Sequence, residues 1–183
     1  DAGGDSGTSS RIFGSIASFM GNTEYRGKIV WFLLTCRPDL LPIDLKRQGR
    51  AEEHLALFYP QTDAERDELF KAMQKKTKVQ VDVPDFSKLT NGHPFSGADI
   101  EAILIRSKFK AATDSRDQVT PADVEAVVKD FVPPSYPLEI ELQNLVAVLE
   151  CTSRELLPEN FQKLERDEVT RRIRELKVLL EER

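Results

Sequence analysis

Residues 28–60 read KIVWFLLTCRPDLLPIDLKRQGRAEEHLALFYP, and two apolar runs in this stretch decide the fold class. The first, Ile29 to Leu34, is short, uninterrupted and rich in β-branched and aromatic types, the pattern of a strand covered on both faces. Thr35-Cys36-Arg37-Pro38-Asp39 breaks it with a proline-bearing turn, and a short helix is predicted from there to Gly49. A second apolar run begins at Leu55 and is stopped after Tyr59 by Pro60. Two buried strands, 28–35 and 55–59, joined by a short helix predict a parallel sheet and an α/β fold.

The totals bound the class. A chain of 183 residues makes one large domain or two small ones and is long enough to bury a core. The net charge is −5 with both signs interspersed, so no basic stripe points to nucleic acid. Cys36 and Cys151 do not make a disulfide framework and fit a reducing compartment. No apolar run reaches membrane-spanning length and no signal peptide opens the sequence, so the expected setting is cytoplasmic, with no membrane partner. The sequence opens at Asp1 without a methionine, and the expectation is a fragment of a longer protein.

Outside the central stretch the sequence is predicted to be helical. Residues 1–10, DAGGDSGTSS, are small and polar and read as a mobile loop. Ile12, Phe13, Ile16, Phe19 and Met20 recur at helical spacing, with Ser9 or Ser10 as the N-cap and Gly21-Asn22 as the stop. Thr62-Asp63-Ala64-Glu65 is a capping box that opens a helix with Leu69, Phe70 and Met73 inward, closed by Lys75, Lys76 and Lys78. Residues 82–92 read as a loop. Further helices start at Ser96 and at Thr120-Pro121, the latter with Val124, Val127, Val128 and Phe131 on one stripe. After Pro133-Pro134, leucines at 138, 142, 145 and 149 and apolar residues at 169, 173, 176 and 180 predict a helix hairpin, packed on the preceding helices.

The run T-C-R-P-D-L-L followed by Arg47-Gln48-Gly49-Arg50 resembles the second region of homology of AAA-type ATPases, where a strand ends in Thr-Asn-Arg-Pro and a helix closes in Arg-Pro-Gly-Arg. Phe58-Tyr59-Pro60 through Asp67 resembles that family's junction into its helical lid, and Phe95-Ser96-Gly97-Ala98-Asp99-Ile100 its Ser-Gly-Ala-Asp lid motif. The resemblance covers residues 9–131. It implies residues 1–60 as the end of a partial P-loop sheet-and-helix domain, 61–132 as the lid, and 133–183 as a helical C-terminal extension.

The same resemblance implies a set of site residues. Arg47 and Arg50 correspond to arginine fingers that reach a neighbouring subunit's γ-phosphate, where a planar, permanently charged guanidinium stabilises developing charge. Without the family, both are better read as solvated cations at a helix C-terminus. Cys36 stands where the family has the asparagine that orients the attacking water, and a thiol is a weak donor and poor acceptor; Thr35 offers a neighbouring hydroxyl, and an inert cysteine at a strand end is the plainer reading. Gly97 and Ala98 match small lid residues beside adenine and ribose, or simply a helix start that needs close packing. Ala51-Glu52-Glu53 departs from the family's Phe-Asp-Arg.

Phosphate-cradling and magnesium-binding motifs are missing from the sequence. There is no G-x-x-x-x-G-K-[ST], and Gly21 with Gly27-Lys28 fails in spacing, in hydroxyl and in leading into a strand. No apolar run ends in Asp-Glu, and His54 and His93 lack ligand-spaced partners for zinc, so no metal site is assigned. ATP or ADP with Mg is therefore expected in the full-length protein and not tightly bound by this chain. The implied activity is an ATP-hydrolysing homo-oligomeric ring that remodels a macromolecule, a protein rather than a nucleic acid. The alternative from a different class is a non-catalytic helical assembly module that keeps the lid fold.

Overall fold

A computed structural model describes residues 6–181. Its helices are α1 (Ser6–Met20), α2 (Ile43–Lys46), α3 (Asp63–Thr77), α4 (Phe86–Leu89), α5 (Gly97–Thr113), α6 (Pro121–Asp130), α7 (Pro137–Glu150), α8 (Glu159–Gln162) and α9 (Arg166–Glu181). They fall into two compact units, one made of Asp1–Leu57 with Tyr136–Arg183, the other of Phe58–Ser135.

The Phe58–Ser135 unit is built on three helix starts with the same chemistry. Thr62 with Glu65, Ser96 with Asp99, and Thr120 with Asp123 are reciprocal capping boxes, each satisfying two amides that the first turn would leave without partners. α3 ends at Lys78, whose φ of 56° lets its amide close back on Gln74. Behind these caps Phe70, Phe86, Ile100, Ile103, Leu104 and Val124 form one core, with Leu69 and Met73 packed on it. The predicted 82–92 loop contains α4, which exists because Phe86 stacks on Phe70 at 4.2 Å between ring centroids and the Asp67 carboxylate accepts the Ser87 amide at 2.8 Å. A four-residue helix held only by such distant partners has no local signal.

Asp123 carries more than a cap. It is 2% exposed, and Arg116 grips both of its oxygens at 2.8 and 2.7 Å while Thr120 donates to it through amide and hydroxyl. The guanidinium first, then the Thr120 donors, outweigh burial and hold this carboxyl well below its usual range.

In the other unit α7 and α9 pair through Leu142, Leu145, Val169, Ile173 and Leu176 of the stripes read from the sequence, together with Val146. This hairpin groups with residues 1–57, not with 61–132 as expected, because its polar anchors lie at Asp39, Lys46 and His54. α1 seats Ala17 and Met20 against Leu45 of α2. It begins at Ser6, inside the expected 1–10 loop and before the expected caps Ser9 and Ser10; residues 1–5 of that loop lie outside the described residues.

The expected strands are the main correction. Among the described residues there is no β-strand, and 28–35 and 55–59 are irregular. A strand exists only through ladder bonds to a neighbour, and among the described residues neither segment makes a ladder. Their side chains are left in the open: Phe32 is 81% exposed, Leu34 90% and Leu57 92%. Trp31 is also exposed, and its ring meets that of Phe19 edge to face with centroids 5.4 Å apart.

Two outcomes follow. Asp123→Ala should lower the stability of the Phe58–Ser135 unit by about 2 kcal/mol, as loss of charge-assisted bonds does, measured by urea unfolding. Since the folded carboxyl titrates below its ordinary 3.8, this stabilisation is full above about pH 4 and lost as pH falls further, so the wild-type advantage over the variant should shrink in acid. Separately, the 183-residue chain should bind a hydrophobic dye and self-associate in light scattering. Phe32→Lys with Leu34→Lys should reduce both with helical circular dichroism unchanged; equal dye binding by the variant would place the sticky surface elsewhere.

Candidate functional site

The segment from Thr35 to Thr152's partner, His54, is shaped by short polar bonds. Thr35 Oγ1 accepts the Arg37 amide at 3.0 Å and so closes the turn before Pro38. Arg37 lays its Nε and Nη2 on the two oxygens of Asp39, at 2.9 and 3.0 Å, the fork geometry that favours arginine. Lys177 of α9 meets the same carboxylate at 2.9 Å. The Asp39 carboxyl is accordingly held far below its usual range, first by the Arg37 bond and then, after the opposing effect of burial, by Lys177.

The predicted helix up to Gly49 is shorter than expected. α2 stops at Lys46, and Arg47 already has extended backbone, φ −71° and ψ 153°. The chain then reverses through Gly49, whose φ of +83° is a glycine conformation, with its amide donating to Glu52 at 2.7 Å. Glu52, one of the departures from the family pattern, thus has a local task that its sequence position did not reveal.

This turn separates the two arginines. Arg47 leaves 68% of its side chain exposed and pairs only with the equally open Asp44, at 3.2 Å. Arg50 is half-buried: its Nη1 donates to the Asp44 carbonyl at 2.6 Å, and its guanidinium lies over the end of α1, where a Cβ on Gly21 would sit 3.3 Å from Nε. One guanidinium is open to solvent on an exposed ion pair, and the other is folded onto its own turn. Thr35 and Cys36 are both exposed beside this segment.

Gly97 and Ala98 belong to the Phe58–Ser135 unit. A Cβ on Gly97 would make ordinary contacts with Met73 and Leu69 at 3.7 and 3.8 Å, so the residue sits at the α3–α5 packing, while Ala98 is exposed. The donor set of the chain meets only part of a Mg-nucleotide: it supplies guanidinium cations suited to a terminal phosphate, and among the described residues no cluster of acidic, His or Cys groups could hold a metal ion. No helix among the described residues is long and apolar enough to cross a membrane.

Sequence reasoning missed the groups that hold the segment in place. Asp39, two residues after Arg37 across a proline, could have been suspected as its partner. Lys46, His54, Glu150 and Lys177 carry no local signal, since the pairs they make are about 100 or more residues apart in sequence.

No protein-family model matches the chain, and no solved structure does. Relatives among known proteins do. The uncharacterized AAA domain-containing protein ycf46 of Pyropia yezoensis is 30% identical over 148 residues, 79% of this chain and 29% of that protein. The proteasome-activating nucleotidase of Methanothermobacter thermautotrophicus is 34% identical over 108 residues, 58% of this chain and 26% of that protein. The ATP-dependent zinc metalloprotease FtsH 2 of Petrotoga mobilis is 30% identical over 115 residues, 62% of this chain and 18% of that protein. The chain therefore spans between about a fifth and a third of the length of these relatives. By these relatives the chain belongs to the AAA family and corresponds to a C-terminal part of its ATPases.

Proposed function

We propose that this chain supplies the arginine-finger segment and the helical lid of an ATP-hydrolysing ring, with the phosphate loop and magnesium-binding carboxylates provided by residues outside it. The observation that carries this reading is the open Arg47 on a fixed turn. A permanently charged, planar group that costs little to expose is suited to a phosphate presented by another subunit. In this reading Arg47 is the finger that touches the transferred group, and Arg50 shapes the turn. Thr35 and Cys36 would face the attacking water, the thiol positioning it less well than an amide. Gly97 and Ala98 would lie at the nucleotide's adenine and ribose.

The exposed 29–34 and 55–57 side chains fit the same reading. In the complete ATPase domain they would pair with further strands as a P-loop sheet, which recovers the α/β fold and the division at residues 60 and 132. Two relatives are named for ATP-dependent proteolysis or proteasome activation, which favours a protein as the remodelled substrate and a homo-oligomeric, cytoplasmic ring. The non-catalytic assembly reading draws on Cys36 and on the absence of phosphate-loop and magnesium motifs from this sequence.

Arg47→Ala in the full-length ATPase should lower kcat by about 10³-fold, the lower end for such fingers, with nucleotide affinity nearly intact because the charge it meets is largest in the transition state. Arg47→Lys should be nearly as harmful, since an ammonium lacks the planar fork. Mixing the Arg47→Ala protein with one that lacks the phosphate-loop lysine should restore part of the activity. Mixed rings without any recovery would exclude action across a subunit boundary. Arg50→Ala should instead act on structure, speeding amide exchange over 43–51. Arg47→Ala should change stability by no more than about 0.5 kcal/mol, as for an exposed ion pair; the reverse pattern would exchange the two roles.

A further inference from the structure

We infer that the α7–α9 hairpin is a brace for the Arg47 turn, acting through Lys177, Glu150 and Thr152 as positioning residues. The inference rests on the reading of Arg47 as the finger, and it adds what holds that finger at a fixed height and angle.

Three attachments run from the hairpin to the segment that carries Arg47. Lys177, on α9, closes on Asp39 at 2.9 Å and completes a carboxylate clamped from two sides, with Arg37 on the other. Glu150, the last residue of α7, meets Lys46 Nζ at 2.7 Å, and the same ammonium donates to the Pro38 carbonyl at 3.2 Å. Lys46 is the residue immediately before Arg47, so the pin sits one peptide from the finger. Finally, the chain leaving α7 is tied to the segment beyond the finger. The His54 amide donates to Thr152 Oγ1 at 3.0 Å, the Thr152 amide donates to the His54 carbonyl at 3.2 Å, and the His54 ring contacts the Glu150 and Ala51 carbonyls at 2.8 Å each.

The burial pattern separates these bonds from ordinary surface pairs. Asp39, Lys46 and Glu150 expose 14, 15 and 24% of their side chains and Lys177 42%, whereas Arg47 and Asp44 are about two-thirds open. Partly dry pairs are screened less by salt and hold geometry better than exposed ones. The hairpin has its own core to resist displacement, with Leu142, Val146, Val169 and Leu176 buried between its helices. A packed hairpin is thus fastened before, beside and after a turn whose exposed Arg47 has only the open Asp44 as a side-chain partner. Positioning of that kind matters because small misplacements of a charge-stabilising group cost rate without costing affinity.

The test has two arms. In the 183-residue chain, Lys177→Met and Glu150→Gln should each raise amide exchange over 37–54 by about tenfold through local opening, with α5 unchanged. The charge swap Lys46→Glu with Glu150→Lys should return protection toward wild type. In the full-length ATPase, the same single substitutions should lower kcat about tenfold at unchanged KM for ATP. They should lower it no further in an Arg47→Ala background, because a brace has nothing left to position. Unchanged exchange over 37–54 in both single variants overturns the brace. So does a kcat loss that multiplies with that of Arg47→Ala. If Arg47→Ala leaves turnover intact, the finger reading falls by itself, and the exchange arm alone upholds or overturns the hold of the hairpin on the turn.

Discussion

Asp39 receives two cations on one carboxylate, Arg37 from its own turn and Lys177 from the far end of the chain. Each of the three groups alone would be a small contributor at a surface. Together they form a network in which the arginine fork fixes the direction of the carboxylate and the lysine then finds an oriented acceptor. The turn at Pro38 lies against α7, α7 holds α9, and α9 presents the lysine. Remove the carboxylate and two partly covered cations face each other with nothing between them, so one of the three attachments between the segment and the hairpin turns repulsive.

The Phe58–Ser135 unit obeys a more local logic, and it was correspondingly legible. Its three capping boxes are written within four residues each, and its inward positions recur at helical spacing. What the sequence concealed there was the stacking of Phe86 on Phe70 that creates α4, and the capture of Asp123 by Arg116. The first joins residues that no window of ten contains, and the second depends on how the turn between α5 and α6 folds back, which the residue types alone do not state.

The apolar run at 29–34 shows the opposite failure. Its composition states a strong preference for a covered, extended environment, but preference is not pairing. Backbone donors and acceptors in a strand must be satisfied by another strand, and hydrophobic side chains in a strand must be covered by another layer. Composition reads the demand, and only the surrounding structure can meet it. The candidate site was legible in the same partial way. The motif located Arg47, Arg50, Thr35 and Cys36, yet the contrast between an open Arg47 and a folded-back Arg50 depends on the left-handed Gly49 and on Gly21 leaving room at the end of α1.

The unit that carries Arg47 is discontinuous, with Phe58–Ser135 lying between its two parts in the chain. During synthesis the inserted unit is complete before the hairpin emerges, and its contacts are local, the condition for rapid folding. The Lys46–Glu150 contact, by contrast, closes a loop of 104 residues. Loop-closure entropy grows as about (3/2)RT ln n, and a prefolded insert shortens the effective n by replacing a coil with a compact body. A helix made after the inserted unit is then the one that sets a turn made before it. A chain synthesised only as far as α8 has its helices at 58–135 formed and its Arg47 segment not yet fastened, so the order of synthesis makes the hold of α9 on that segment a late step.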